Sequence, residues 1–219
     1  MMLKTRNKLV CGVGINDAAY NVCVRLVPED GKQSKWTCPY YSIWVHMLQR
    51  CYDPKIRKLQ PSYTGCFVCN EWHLFSKFRS WMEQQDWQGN QLDKDLLVVG
   101  NKAYSPETCV FVSCKVNTFI VDCRAARGEL PIGVNFHKAT GKFQACCRSI
   151  ETGKKEYLGV YLTPEEAHIR WLSFKLEQAE ILAAEQQDSR VAEALIKRYT
   201  YYETDRPQKS LELSVHATS

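Results

Sequence analysis

Residues 92–95 read Leu92-Asp93-Lys94-Asp95. In a strand, alternation puts Asp93 and Asp95 on the same face. With Asn117 further along, they offer oxygen donors suited to Mg²⁺, Mn²⁺ or Ca²⁺. A cation held there could neutralise charge developing on a phosphate, given a base that makes hydroxide. Lys94 is not that base. With a reference pKa of ~10.4 it is protonated near neutrality, and flanking carboxylates hold its proton more tightly. Its chemistry is that of a cation resting on a phosphate or a transition state. His73 is the nearest histidine in sequence that could serve as base.

A second set of candidate ligands is sulfur. Cys66-x-x-Cys69 has zinc-ligand spacing, with Cys109 and Cys114 as a looser second pair and Cys51 able to join either. The alternative is buried free thiols. A redox role for the Cys-x-x-Cys pair lacks the βαβ context it needs. The 11 cysteines are an odd set with no secretory context, which places the chain in a reducing cytosol.

These residues must be positioned by short elements. Residues 9–15 and 20–27 pattern as strands, with a turn at Glu29-Asp30-Gly31-Lys32. Residues 40–52 have helical spacing, with Ile43, Trp44, Met47, Leu48 and Cys51 on the apolar face. Asp53-Pro54 ends that helix, and a basic loop with Lys55, Arg57 and Lys58 follows. Residues 71–82 predict a second helix, its Trp72, Phe75, Phe78, Trp81 and Met82 stripe facing a core. Residues 92–120 read as strand, long loop, strand and helix, with apolar runs at 96–99 and 109–112.

The series Trp44-x-x-Met47-x-x-Arg50-Cys51, Val68-Cys69-x-x-Trp72-x-x-Phe75, Leu92-Asp93-Lys94-Asp95 and Tyr104-Ser105-Pro106-Glu107-Thr108-Cys109 resembles the HNH-like proteins of bacteriophages over about residues 40–120. The resemblance implies a ββα module in which an aspartate and a final helix residue hold a divalent cation, a histidine activates water, and a middle asparagine orients that histidine. Carried over, Asp93 and Asn117 become the Mg²⁺ or Mn²⁺ ligands, Lys94 stands at the histidine, and Thr108 falls at the middle asparagine. Asp93, Lys94 and Asn117 are thus the candidate catalytic set. Many such modules also carry a four-cysteine zinc, which would use Cys66 and Cys69.

Composition shifts near residue 122, where Arg124, Arg127 and Gly128 suggest a hinge. Three strand patterns follow at 131–138, 142–149 and 155–161, and residues 124–160 hold seven basic against three acidic side chains. Alternation sorts Lys142, Gln144, Cys146 and Arg148 onto one face, with Asn135, His137, Lys155 and Tyr157 beside them. Phe143, Ala145 and Cys147 take the other face, which the Ala167, Trp171 and Phe174 stripe of the next helix can cover. Thr163, Pro164 and Glu166 form a capping box that starts this helix. A further helix is predicted over 191–202, and the last dozen residues are polar.

Gly133-Val134, Gly141-Lys142-Phe143-x-Ala145, Tyr157-Leu158-Gly159 and Thr163-Pro164-Glu165-Glu166-Ala167 resemble the AP2 DNA-binding domain over about residues 127–182. That resemblance implies a polar sheet face in the major groove of double-stranded DNA, with contacts from Asn135, His137, Cys146, Arg148, Lys155 and Tyr157. Chemistry alone adds Lys142 and Gln144. Arg148 could hold guanine and Asn135 or Gln144 adenine, while Lys142 and Lys155 suit phosphate.

At 219 residues, 45% hydrophobic and 24% charged, with a net charge of +5, the chain reads as an α+β protein compatible with a polyanionic partner. No apolar run approaches the ~20 residues of a membrane span, and residues 1–10 do not read as a signal peptide. The expected order is a leader of short strands (1–39), an HNH-like ββα-metal module (40–123), an AP2-like three-stranded antiparallel sheet packed on a helix (124–185), and a helix with a disordered tail (186–219). The expected function is a divalent-metal-dependent DNA endonuclease or nickase of the homing type, acting in the cytoplasm of a bacterial host. The alternatives are a non-catalytic, sequence-specific DNA-binding phage regulator and a phage effector that binds a host protein.

Overall fold

A computed structural model describes residues 9–26, 34–121 and 129–204. The expected turn at 29–32, the cations Arg124 and Arg127, and the tail beyond residue 204 lie outside these. The fold is mixed α+β, with small sheets and six α-helices among the described residues. The chain divides into two compact units, residues 1–117 and 118–219.

The first unit is built on an aromatic core. Strands β1 (Cys23–Leu26) and β2 (Ser34–Thr37) pair antiparallel and lead into α1 (Pro39–Tyr52), which Pro39 opens at a position where no amide is needed. Its Trp44, Met47, Leu48 and Cys51 recur at helical spacing and are all buried. The expected basic loop is instead a short helix, α2 (Pro54–Leu59), because Asp53 caps it by accepting from the Lys55 amide at 2.8 Å.

The single helix expected over 71–82 is broken. A 3-10 turn (Asn70–His73) precedes α3 (Phe75–Met82), and Leu74 between them is extended. The Ile15 amide donates to the His73 carbonyl, and the Phe75 amide to the Ile15 carbonyl. This bridge takes the backbone groups a continuous helix would need. The same segment corrects the expected strand at 9–15, which forms a tight turn closed by Val10 and Gly14. Gly14 is needed there, since a Cβ would strike Leu48 and Trp44.

β3 (Phe67–Val68) pairs parallel with β5 (Ala103–Tyr104). β4 (Gln91–Asp93) pairs antiparallel with β6 (Val110–Val112), with Asp93 opposite Val110, and α4 (Cys114–Ile120) follows. The apolar run 96–99 is not a strand. Asp93 accepts from the amides of Asp95 and Leu96 at 2.9 and 2.6 Å, which turns the chain off the ladder. Leu96 is buried, while Val98 and Val99 are exposed.

The second unit holds β7 (Val134–His137), β8 (Lys142–Arg148) and β9 (Lys155–Tyr161) as an antiparallel sheet in that order. α5 (Pro164–Ala184) covers one face and α6 (Ser189–Thr204) packs on α5. The Thr163 hydroxyl accepts from the Glu166 amide while Glu166 accepts from the Thr163 amide, completing the capping box. Val134, Ala145 and Ala167 form the sheet-to-helix core with Phe143, Leu158 and Tyr161. The helix stripe differs from expectation at Phe174, which is only half-buried, while Lys175 is buried.

Candidate functional site

Two places gather the candidate residues. The first is a cavity of about 270 Å³ in the first unit, and the second is the sheet face turned away from α5.

Asp93, Lys94, Asp95 and Asn117 all line the cavity. β4 delivers Asp93 at its end, and the turn that Asp93 itself stabilises swings Asp95 alongside. Burial pushes the Asp93 carboxyl above its ordinary range, Asp95 adds to the rise, and the Leu96 and Asp95 amides and Lys94 offset part of it. Asn117 donates to Gln91 Oε1 at 2.5 Å.

Lys94 is buried, at 6% exposure. Its ammonium donates to Asp95 Oδ2 at 2.8 Å and to the Asn101 carbonyl at 3.1 Å. Burial presses its pKa down, but the Asp95 hydrogen bond and charge, with Cys66 and Asp93, carry it above the ordinary lysine value. It stays charged and is committed to two internal acceptors.

The asparagine that touches position 94 is Asn101. Its Nδ2 donates to the carbonyls of Lys94 and Ala103, both at 2.6 Å, and its Oδ1 accepts from the Ala103 amide at 3.1 Å. Thr108, aligned to that role, instead donates to the Ala103 carbonyl at 2.9 Å.

The histidine is also different. His73 lies 3.5 Å from the Tyr52 hydroxyl and does not line the cavity. His46 does, exposed on α1 beside Ile43 and one turn before Arg50. Arg50 lies over the Tyr63 ring at 5.6 Å. Sequence reading missed His46 as a site residue. Its signal was the His46–Arg50 spacing on the face of α1 opposite Trp44.

As arranged, these residues do not fit a divalent cation. Asp95 is neutralised by Lys94, Asp93 Oδ1 is spent on two amides, and among the described residues no three His, Cys, Asp or Glu side chains gather around one point. Among the described residues the cysteines form no cluster of three candidate zinc ligands, and Cys66 is buried while Cys69 is half-buried. Burial pushes Cys51 and Cys109 up to about 12, which keeps both as thiols. The described cysteines are all free.

On the sheet, cross-strand pairs line up His137 with Lys142, Asn135 with Gln144, Cys146 with Tyr157, and Arg148 with Lys155. Asn135, Lys142, Arg148, Lys155 and Tyr157 are exposed, while Gln144 and His137 are half-buried. The His137 ring is 2.9 Å from the Thr140 hydroxyl. Cys146 departs from its neighbours, being buried at 7%. The register slips between Ala145 and Cys146, so that Leu158 has no partner across the ladder. On the helix side, Phe136 is 51% exposed at the sheet edge and meets Phe143 at 5.5 Å.

No protein-family model, curated protein or solved structure matches this chain.

Proposed function

We propose that the chain binds double-stranded DNA through the outer face of β7–β8–β9, as an AP2-like sheet would, and that the HNH-like hairpin module of the first unit contributes shape without cutting. The observation that carries this reading is the row of exposed Lys142, Arg148 and Lys155 beside Asn135, Gln144 and Tyr157. Cations supply phosphate affinity and amides can read base edges. Lys94 supports the non-cutting half, because its ammonium is spent on Asp95 and Asn101.

Cleavage is the second reading. It is favoured by His46 and Arg50 sharing the cavity with Asp93 and Asp95, a base and a cation beside two carboxylates. One experiment separates the two. Supercoiled plasmids carrying source and host DNA are incubated with the full chain in Mg²⁺ or Mn²⁺ and in EDTA, and any new ends are sequenced. The first reading expects shifted, uncut DNA in both conditions, with affinity reduced in Arg148→Ala. Discrete metal-dependent ends that vanish in Asp93→Ala and His46→Ala would establish the second. A chain that neither shifts nor cuts DNA refutes both.

A further inference from the structure

The hairpin β1–β2 stands apart from the cavity and has no assigned role. Its base is anchored, since the Cys38 amide donates to the Val22 carbonyl at 2.8 Å and both side chains are buried. Beyond that anchor it is open on both faces. Cys23, Val24 and Arg25 on β1 and Lys35 and Trp36 on β2 are all exposed. A two-stranded ribbon of this kind is marginal alone in water and carries little of the core.

The register sorts its side chains. Val24 faces Trp36, and Arg25 lies directly opposite Lys35. Like charges opposite each other cost stability in an antiparallel pair, and among the described residues no carboxylate pairs with either cation. A polyanion against that face would turn the repulsion into attraction. A two-stranded ribbon is also one of the shapes the major groove of B-DNA admits.

We infer that the β1–β2 hairpin is a second DNA contact, with Arg25 and Lys35 resting on backbone phosphates. This inference rests on the DNA-binding reading, and the test keeps the two apart. Binding of the full chain to labelled duplex is measured by anisotropy across a KCl series for wild type, for Arg25→Gln with Lys35→Gln, and for Arg148→Gln with Lys155→Gln. Each lost phosphate contact lowers the slope of log affinity against log salt by about 0.9, so each double variant is expected to lower it by about 1.8. The hairpin variant should melt no lower than wild type, since it removes only a repulsive exposed pair. An unchanged slope in the hairpin variant with a reduced one in the sheet variant overturns the inference and leaves the function standing. Unchanged slopes in both overturn both. A hairpin variant that changes only self-association, at constant slope, also overturns it and marks the ribbon as a contact between copies.

Discussion

Lys94→Met separates a structural lysine from a DNA-contacting one. Methionine keeps most of the aliphatic volume and removes the ammonium. The buried charge-assisted bond to the Asn101 carbonyl, 3.1 Å long, contributes about 1.5–3 kcal/mol. The pair with Asp95 adds little, about 0.5 kcal/mol, because the Asp95 side chain is 44% exposed and rehydrates when freed. The expected loss is therefore about 2–3 kcal/mol, or about 8–12 °C in the melting temperature of a unit this size. Five of the six tryptophans lie in the first unit, so intrinsic fluorescence follows its melting. Because the Lys94 pKa is raised on folding, its contribution is complete below the ordinary lysine value and disappears only as pH rises through the higher folded one. The wild-type advantage should thus be constant from pH 6 to 9. A variant that melts within about 1 °C of wild type but shows a shallower salt slope for DNA would refute the reasoning and make Lys94 a phosphate contact.

Three further outcomes follow from the geometry. Asp93→Asn keeps an oxygen to accept from the Asp95 and Leu96 amides while removing a buried charge. Asp93 has a raised folded pKa, so wild type loses stability as pH climbs from the ordinary carboxylate value to the folded one, and the variant should gain over wild type across that window in pH-dependent melts. Lys175 is buried with its ammonium 3.4 Å from the Phe119 ring centroid and donating to the Phe119 carbonyl at 2.7 Å, and burial lowers its pKa to about 8. Its unfolded form holds the proton more tightly, so wild-type stability should rise relative to Lys175→Met between about pH 8 and 10.5 in urea titrations. Gly133 has φ +82° and a Cβ there would fall on the Trp171 ring, so Gly133→Ala should cost about 2–4 kcal/mol and shift the melting of the second unit.

Where the determinants are local, the sequence was sufficient. The Thr163-Pro164-Glu166 cap and the Trp44, Met47, Leu48 and Cys51 spacing each specify an element from within it. Where a distant residue intervenes, they did not. Leu74 is drawn out of a helix by Ile15, almost sixty positions earlier, and nothing in residues 70–82 announces that. The run at 96–99 has the apolar composition of a strand, but its first amide, at Leu96, goes to the Asp93 side chain. Cys146 follows the alternation of an ideal strand until the slip beside it, a feature set by β9 rather than β8. For the candidate site, Asp93, Lys94, Asp95 and Asn117 were legible because β4, the turn after it and α4 are near in sequence. His46 was not, because the cavity borrows it from a helix almost fifty residues upstream.

Charge decides which surface can attract DNA. Around the cavity, Arg50 and Lys94 balance Asp93 and Asp95. A phosphate gains no net attraction there near neutrality. The sheet face presents Lys142, Arg148 and Lys155 with Glu156 on the opposite side, and the hairpin adds Arg25 and Lys35. If DNA binds as proposed, at about 0.9 per neutralised phosphate the sheet alone should give a salt slope of about 2.7 and the two together about 4.5. The wild-type slope therefore already discriminates: a value near the lower figure leaves no room for the hairpin, and one near the upper requires cations beyond the sheet. Asp93→Asn should then strengthen binding only weakly, since it removes one anion from a surface that the DNA backbone has no electrostatic reason to approach.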